Sequence, residues 1–170
     1  MDPVFAWIEH SALSDWIRGS DCVCAFPAIV TLHNIGMAFL AGCGIAIDLR
    51  IIGCAQGIPI KPMARLLPLM WAAFAVNATT GVLLLIAYPT KALTNPLFYI
   101  KLTLVAVALT LVYLVARDVL RGGGPEGKLP PTRARMLAGA SLAAWLVLIA
   151  AGRYLAYTHK WEMLGIPAVL

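Results

Sequence analysis

One histidine stands inside a long apolar run, at a position that could support cofactor chemistry. His33 lies in "AFPAIVTLHNIGMAFLAGCGIAIDLR", seven residues after Phe26. An imidazole in hydrocarbon costs free energy unless its nitrogens are satisfied, so an ionisable residue inside a membrane span is a functional candidate. In a helix that starts at Phe26, His33 would lie about 10 Å below the membrane surface.

Two cations extend this pattern toward a haem site. Lys101 opens the third apolar run and Arg153 lies about one turn before the end of the fourth, both on the side of His33 if the runs alternate in direction. We predict a b-type haem with His33 as axial ligand and with Lys101 or Arg153 pairing with its propionates. The predicted site also includes Asn77 and Trp145, whose ring would either stack on the cofactor or pack in the core.

The second axial position is less well defined. His159 follows the fourth run and is a weak candidate, because it would have to fold back to reach an iron bound at His33. A five-coordinate or water-ligated haem is equally compatible with the sequence. No nucleophile and base pair, phosphate-binding loop or metal-ligand spacing indicates an enzyme, and whether the protein is one stays open.

Simpler interpretations of the same residues remain open. His33 could hydrogen-bond Asn77, Thr80 or a backbone carbonyl across helices, as polar groups in membrane bundles do. Lys101 and Arg153 could extend their charges to the outer interface. Proton or substrate handling is a third possibility. Asp48 and Arg50 are interpreted as interface markers or as a local ion pair.

The elements that must position these residues are four long apolar runs, since the chain is 61% hydrophobic and only 12% charged. Each run has the roughly 20 residues that a membrane-spanning helix needs. Before them, residues 3–18 form an amphipathic pattern with Trp7 and Trp16 as interface anchors. We predict one all-α domain over residues 1–170, an integral membrane four-helix bundle with an N-terminal interfacial helix, its spans covering residues 26–47, 66–88, 97–116 and 136–157.

The basic residues predict the orientation of the spans. Eight of the thirteen lysines and arginines fall in the loops between spans one and two and between spans three and four. By the positive-inside rule these loops are cytoplasmic, so both termini are predicted to be periplasmic in a bacterial inner membrane. The net charge of +5 is explained by this topology, and nucleic-acid binding is not expected. Cys22 and Cys24 match neither a usual zinc motif nor a favourable disulfide spacing.

Several segments resemble a bacterial family of uncharacterised four-span membrane proteins. They are "FPAIVTLHNIGMAFLAGCGIAIDLRIIG", "TTG", "NPLFYIKL" and "SLAAWLVLIAAGRYLAY". The order of histidine, Thr-Gly and lysine is also distantly similar to the copper-resistance D membrane domain and to haem-binding membrane protoporphyrinogen oxidases. That resemblance implies His33 as haem ligand and Lys101 as its companion. The chain departs from these relatives at "LVYLVARD", where they often carry a histidine.

Together these observations predict a membrane b-type haem protein or subunit that acts in electron transfer near the periplasmic face. A quinone or a larger respiratory or redox complex would be its partner. The alternative is a cofactor-free structural or accessory subunit of a larger membrane complex. In span one, Ala38, Gly42 and Ala46 form a stripe of small residues suited to close helix packing, which agrees with the alternative.

Overall fold

The chain is all-α. A computed structural model describes residues 3–20, 22–117 and 131–163, with the side chains of residues 6–20, 22–90, 92–117 and 131–153. The helices in these ranges are α1 (Pro3–Glu9), α2 (Ala12–Gly19), α3 (Phe26–Ile52), α4 (Ile60–Met63), α5 (Leu66–Ala87), α6 (Pro89–Leu93), α7 (Pro96–Val115) and α8 (Thr132–Met163).

Four helical segments are long and apolar enough to cross a membrane. They are Phe26–Ile52, Ile60–Ala87, Pro96–Val115 and Thr132–Arg153. Each also exposes large apolar side chains such as Phe39, Trp71, Val107 and Leu146, which matches contact with lipid. The all-α fold class is confirmed, and the chain is a multi-pass membrane protein with four candidate spans.

The helix ends differ from the predicted ends mainly in the first and last spans. α3 continues past residue 47 to Ile52, because apolar residues resume after Asp48 and Arg50. The residue after the helix is Gly53, whose φ of 112° suits glycine, and the Cys54 N–H donates to the Leu49 carbonyl at 3.0 Å. α8 begins at Thr132, four residues before the predicted start, and runs to Met163.

The predicted N-terminal helix is divided into two. α1 ends at Glu9 and α2 begins at Ala12, with Ser11 between them as a cap that accepts a hydrogen bond from the Ser14 N–H at 3.3 Å. α2 then buries Ile17 against Ile29 of α3 and Ala87 of α5. Trp7 and Trp16 are exposed, as expected of anchors in a membrane interface.

The helices fall into two compact units. The first contains Met1–Cys43 and Arg65–Asn95, and the second contains Gly44–Ala64 and Pro96–Leu170. The first unit therefore holds α1, α2, most of α3, α5 and α6. The second holds the end of α3, α4, α7 and α8, with α7 packed along α8. The single membrane domain over residues 1–170 stays a prediction.

The two cysteines before α3 are bonded to each other. Cys22 and Cys24 form a disulfide with a Cα–Cα distance of 5.1 Å, within the usual range for such bonds. The sequence-based expectation that this spacing disfavours a disulfide was wrong, because the chain turns at Val23 and Cys24. Both cysteines are exposed, and among the described residues only Cys43 and Cys54 are free thiols.

Candidate functional site

His33 contacts α5 through one edge of its ring, inside the first unit. Its Nδ1 atom lies 3.1 Å from the main-chain carbonyl oxygen of Asn77 and 3.1 Å from the hydroxyl of Thr80. A carbonyl oxygen can only accept a hydrogen bond, so the Asn77 contact requires the ring proton on Nδ1. The contacts from α5 therefore favour this tautomer, and the Asn77 Nδ2 atom also lies 3.4 Å from Nδ1.

Asn77 in turn forms a hydrogen bond to the backbone of α3. Its side-chain Nδ2 donates to the main-chain carbonyl of His33 at 2.8 Å. Each of the two side chains therefore bonds the other residue's backbone, and the pair ties α3 to α5 inside the apolar part of the chain. Thr80 also donates to the Val76 carbonyl of its own helix at 2.7 Å, which satisfies its hydroxyl within α5.

Glycines permit the close approach that these hydrogen bonds require. A Cβ atom on Gly36 would lie 3.0 Å from the Asn77 backbone nitrogen and 3.2 Å from the Ala73 carbonyl oxygen. A Cβ on Gly81 would lie 3.3 Å from Cε1 of the His33 ring. At Gly36 the backbone of α5 therefore occupies the space that a side chain would need.

The other predicted site residues lie in the second unit. Lys101 is half-buried near the start of α7, Arg153 is exposed on α8, and Trp145 is fully buried on α8. The structure therefore brings His33 and Asn77 together, while Lys101, Arg153 and Trp145 belong to the other unit. The side chain of His159 lies outside the described residues, so its role as a second ligand stays a prediction.

The Nδ1 contact of His33 is of the kind that metal-ligating histidines make. Metal-ligating histidines nearly always donate their other ring N–H to a carbonyl or carboxylate, as the His33 Nδ1 does to Asn77. The described part of the chain contains no cluster of three or more histidine, cysteine, aspartate or glutamate side chains that could hold a metal ion.

A shallow groove beside this pair is unsuited to a cofactor of haem size. It has a volume of about 200 Å³ and is lined entirely by apolar atoms of α3 and α5, including Ile35, Phe39 and Val76. Pockets for drug-sized ligands usually measure about 300–1,000 Å³ and contain a few polar groups. His33 does not line this groove, so the groove gives no support to a haem site.

Sequence reasoning missed a buried carboxyl group in the second unit. Asp48 is fully buried, and Arg50 does not pair with it, because the Arg50 guanidinium donates to the carbonyls of Ile58 and Gln56 in the following loop. The interpretation of the two residues as an ion pair was therefore wrong. Ser141 faces Asp48 from α8. This contact could not be predicted, because spacing along two distant segments does not show which residues face each other.

Comparison with known proteins identifies the family. A family of unknown function, DUF6644, matches residues 4–158. The chain belongs to this family. The match confirms the resemblance to an uncharacterised family over most of the chain. No curated protein and no solved structure matches the chain. Family membership therefore supplies no activity, and any function has to be argued from the residues themselves.

Proposed function

We propose that this DUF6644 member is a membrane b-type haem protein in which His33 is the axial ligand. One observation carries the proposal: the Nδ1 of an intramembrane histidine is fixed by a main-chain carbonyl at 3.1 Å and by the Thr80 hydroxyl. This is the arrangement that orients ligating histidines and raises the basicity of the ring. With Nδ1 as donor, ligation would use Nε2.

The protein's own residues have distinct parts in this proposal. His33 binds the iron, and the Asn77 carbonyl and Thr80 hydroxyl hold the imidazole in one tautomer and orientation. A bound haem supplies reversible one-electron transfer. Lys101 and Arg153 as propionate partners, Trp145 as a stacking ring and His159 as a second ligand are the remaining predictions for this site.

The setting of the site follows from the charge pattern. With the basic loops in the cytoplasm, α3 starts at the periplasmic face of a bacterial inner membrane and His33 lies in the outer half of its span. Electron transfer at that depth suits a quinone or a larger respiratory or redox complex as partner.

Substitutions on α3 and α5 test the ligand. In protein expressed with added haem precursor, His33→Ala is expected to abolish the b-type absorption bands of the purified protein. Thr80→Val, which removes a hydroxyl that holds the ring, is expected to weaken haem affinity by about 10- to 100-fold. Thr79→Val is the matched control, because Thr79 is exposed and bonds only the Ala75 carbonyl of its own helix.

The haem content of these variants shows whether His33 binds haem or only packs α3 against α5. Haem content that is equal in wild type and His33→Ala would exclude His33 as ligand. Equal loss in Thr80→Val and Thr79→Val would assign the effect to general destabilisation of α5. Each variant is first checked for a single symmetric peak in size-exclusion chromatography, so that only folded protein is compared.

A second candidate is a cofactor-free accessory subunit of a larger membrane complex. The observation that favours it is the stripe of small residues on α3: Ala38 and Gly42 are exposed, and a Cβ on Gly42 would meet nothing within 4 Å. Small residues of this kind let another transmembrane helix approach closely. This candidate predicts a colourless protein that co-purifies stoichiometrically with a membrane complex and loses it in Gly42→Leu. A chain that runs alone in mild detergent would contradict it.

A further inference from the structure

A second polar cluster lies in the second unit, where the end of α3 faces α8. Asp48, Ser141 and Trp145 are each fully buried there, at 0% exposure. Within the described part of the chain, neither carboxyl oxygen of Asp48, nor the Ser141 hydroxyl, nor the indole nitrogen of Trp145 has a hydrogen-bond partner. Buried polar groups are normally paired, so three unpaired groups in one place indicate a ligand.

The register of the two helices places these groups together. The Ser141 side chain lies beside the Asp48 carboxyl, and a Cβ on Gly44 would lie 2.5 Å from the Trp145 indole nitrogen. Gly44 precedes Asp48 by one turn on α3, and Ser141 precedes Trp145 by one turn on α8. The two segments therefore run antiparallel, and the polar atoms lie within about one helical pitch, 5.4 Å, along the helix axes.

Among the described side chains of this unit, none is hydrogen-bonded to the Asp48 carboxyl. On its own helix, the Arg50 guanidinium is bonded to the Ile58 and Gln56 carbonyls. The group that faces it from α8 is the uncharged Ser141 hydroxyl. Among the described residues, the ion pairs of Arg18 with Glu9 and with Asp15 do not involve Asp48.

We propose that Asp48, Ser141 and Trp145 form a proton-binding site within the membrane. A carboxylate buried without a counter-ion is strongly disfavoured, whereas the neutral acid can be accommodated, so Asp48 takes up a proton. The Ser141 hydroxyl and the Trp145 indole N–H provide partners for a water molecule that exchanges this proton, since buried waters use two to four polar partners. Asp48 is four residues from the end of α3, about 6 Å along the helix axis, so the path to water is short.

A carboxyl-specific reagent tests this assignment. Dicyclohexylcarbodiimide is apolar and modifies protonated carboxyl groups, and mass spectrometry locates the modified residue. At neutral pH we expect modification of Asp48 in the full-length protein in lipid, a decrease as the pH rises, and loss of this modification in Asp48→Asn. Asp15→Asn is the control: Asp15 is an exposed carboxyl paired with Arg18 at 3.0 Å, so its removal should leave the modification of Asp48 unchanged.

An infrared measurement on the wild type covers the case in which Asp48→Asn does not fold. A protonated carboxyl group gives a carbonyl stretching band that a carboxylate lacks, and this band should decrease with rising pH. Absence of both the band and the modification throughout the pH range in which the protein stays folded would overturn the proposal. Modification that sodium ions suppress at constant pH would also overturn it, because the occupant would then be a metal cation. Neither result depends on haem.

Discussion

At the scale of single residues, His33 and Asn77 form a reciprocal pair between two apolar helices. His33 and Asn77 each donate to the other's main-chain carbonyl, at 3.1 Å and 2.8 Å, and thereby connect α3 to α5. Such bonds between transmembrane helices stabilise a folded membrane protein only modestly, by about 0.6 kcal/mol on average and about 1.7 kcal/mol at most. The pair therefore fixes a geometry more than it supplies stability.

The first prediction concerns Asn77. Asn77→Ala removes the donor to the His33 carbonyl and should lower the free energy of unfolding by about 0.6–1.7 kcal/mol. Denaturant titration of the detergent-solubilised protein, followed by circular dichroism, measures the change. Thr79→Ala is the control, since its exposed hydroxyl bonds only its own helix, and it should remain within about 0.5 kcal/mol of wild type. Equal effects of the two substitutions would contradict an interhelical role for Asn77.

Residue types alone indicated part of this site. His33, Asn77 and Thr80 could be identified from the sequence because each is a polar residue in an apolar run, where hydrogen bonding across helices is expected. The reciprocal hydrogen bonds to the two backbone carbonyls could not be predicted, because they depend on the rotation of α3 relative to α5. The ion-pair interpretation of Asp48 and Arg50 failed for the same reason, because their nearness in sequence does not show that Ser141 on α8 lies beside Asp48.

At the scale of helices, close packing of α3 on α5 depends on Gly36. The backbone nitrogen of Asn77 and the carbonyl oxygen of Ala73 leave no room for a side chain at that position. Gly42, six residues further along α3, has open space around it. Substitution of these two glycines therefore separates the effect of close packing, at Gly36, from the effect of helix propensity, at Gly42.

Alanine at these two positions should have opposite effects. Gly36→Ala forces the two backbones apart and should lower the free energy of unfolding by about 1–3 kcal/mol, as overpacking does. Gly42→Ala adds a better helix former without a clash and should leave stability unchanged or raise it by up to about 1 kcal/mol. Thermal unfolding midpoints in detergent give the comparison. A Gly36→Ala midpoint at or above that of Gly42→Ala would show that α3 and α5 do not pack this closely.

Helix positions were easier to predict than helix details. The spans follow from runs of about 20 apolar residues, and the observed ends of α5 and α7 lie within one residue of the predicted ones. The division of the N-terminal helix at Ser11 was missed, although a serine cap is a local signal, because the apolar pattern continues across it. The Cys22–Cys24 disulfide was missed because spacing alone does not give the conformation of the intervening residue.

At the scale of the whole molecule, the distribution of basic residues predicts the orientation, and native cysteines can test it. The exposed Cys22–Cys24 disulfide precedes α3, and the exposed Cys54 follows it. In intact cells from which the outer membrane has been removed, a membrane-impermeant maleimide should label Cys22 and Cys24 only after reduction. Cys54 should react only once the membrane is permeabilised.

A third cysteine of the same chain serves as the control for this labelling experiment. Cys43 is buried in α3 and should stay unlabelled in both conditions. Labelling of Cys54 in intact cells, with Cys22 and Cys24 protected, would reverse the orientation and place His33 in the cytoplasmic half of the membrane. Such a result would leave the His33–Asn77 contact unchanged but would move the proposed electron transfer to the other face.

The most direct test of the central proposal is the haem content of the wild-type protein. A reduced-minus-oxidised visible spectrum of the detergent-purified protein, calibrated by the pyridine haemochrome assay, gives the number of haems per chain. Binding through His33 as the single protein ligand predicts a b-type signal at about one haem per chain. A folded, monodisperse preparation without such a signal, after expression with haem precursor, would contradict the proposal and make His33 a residue that packs α3 against α5.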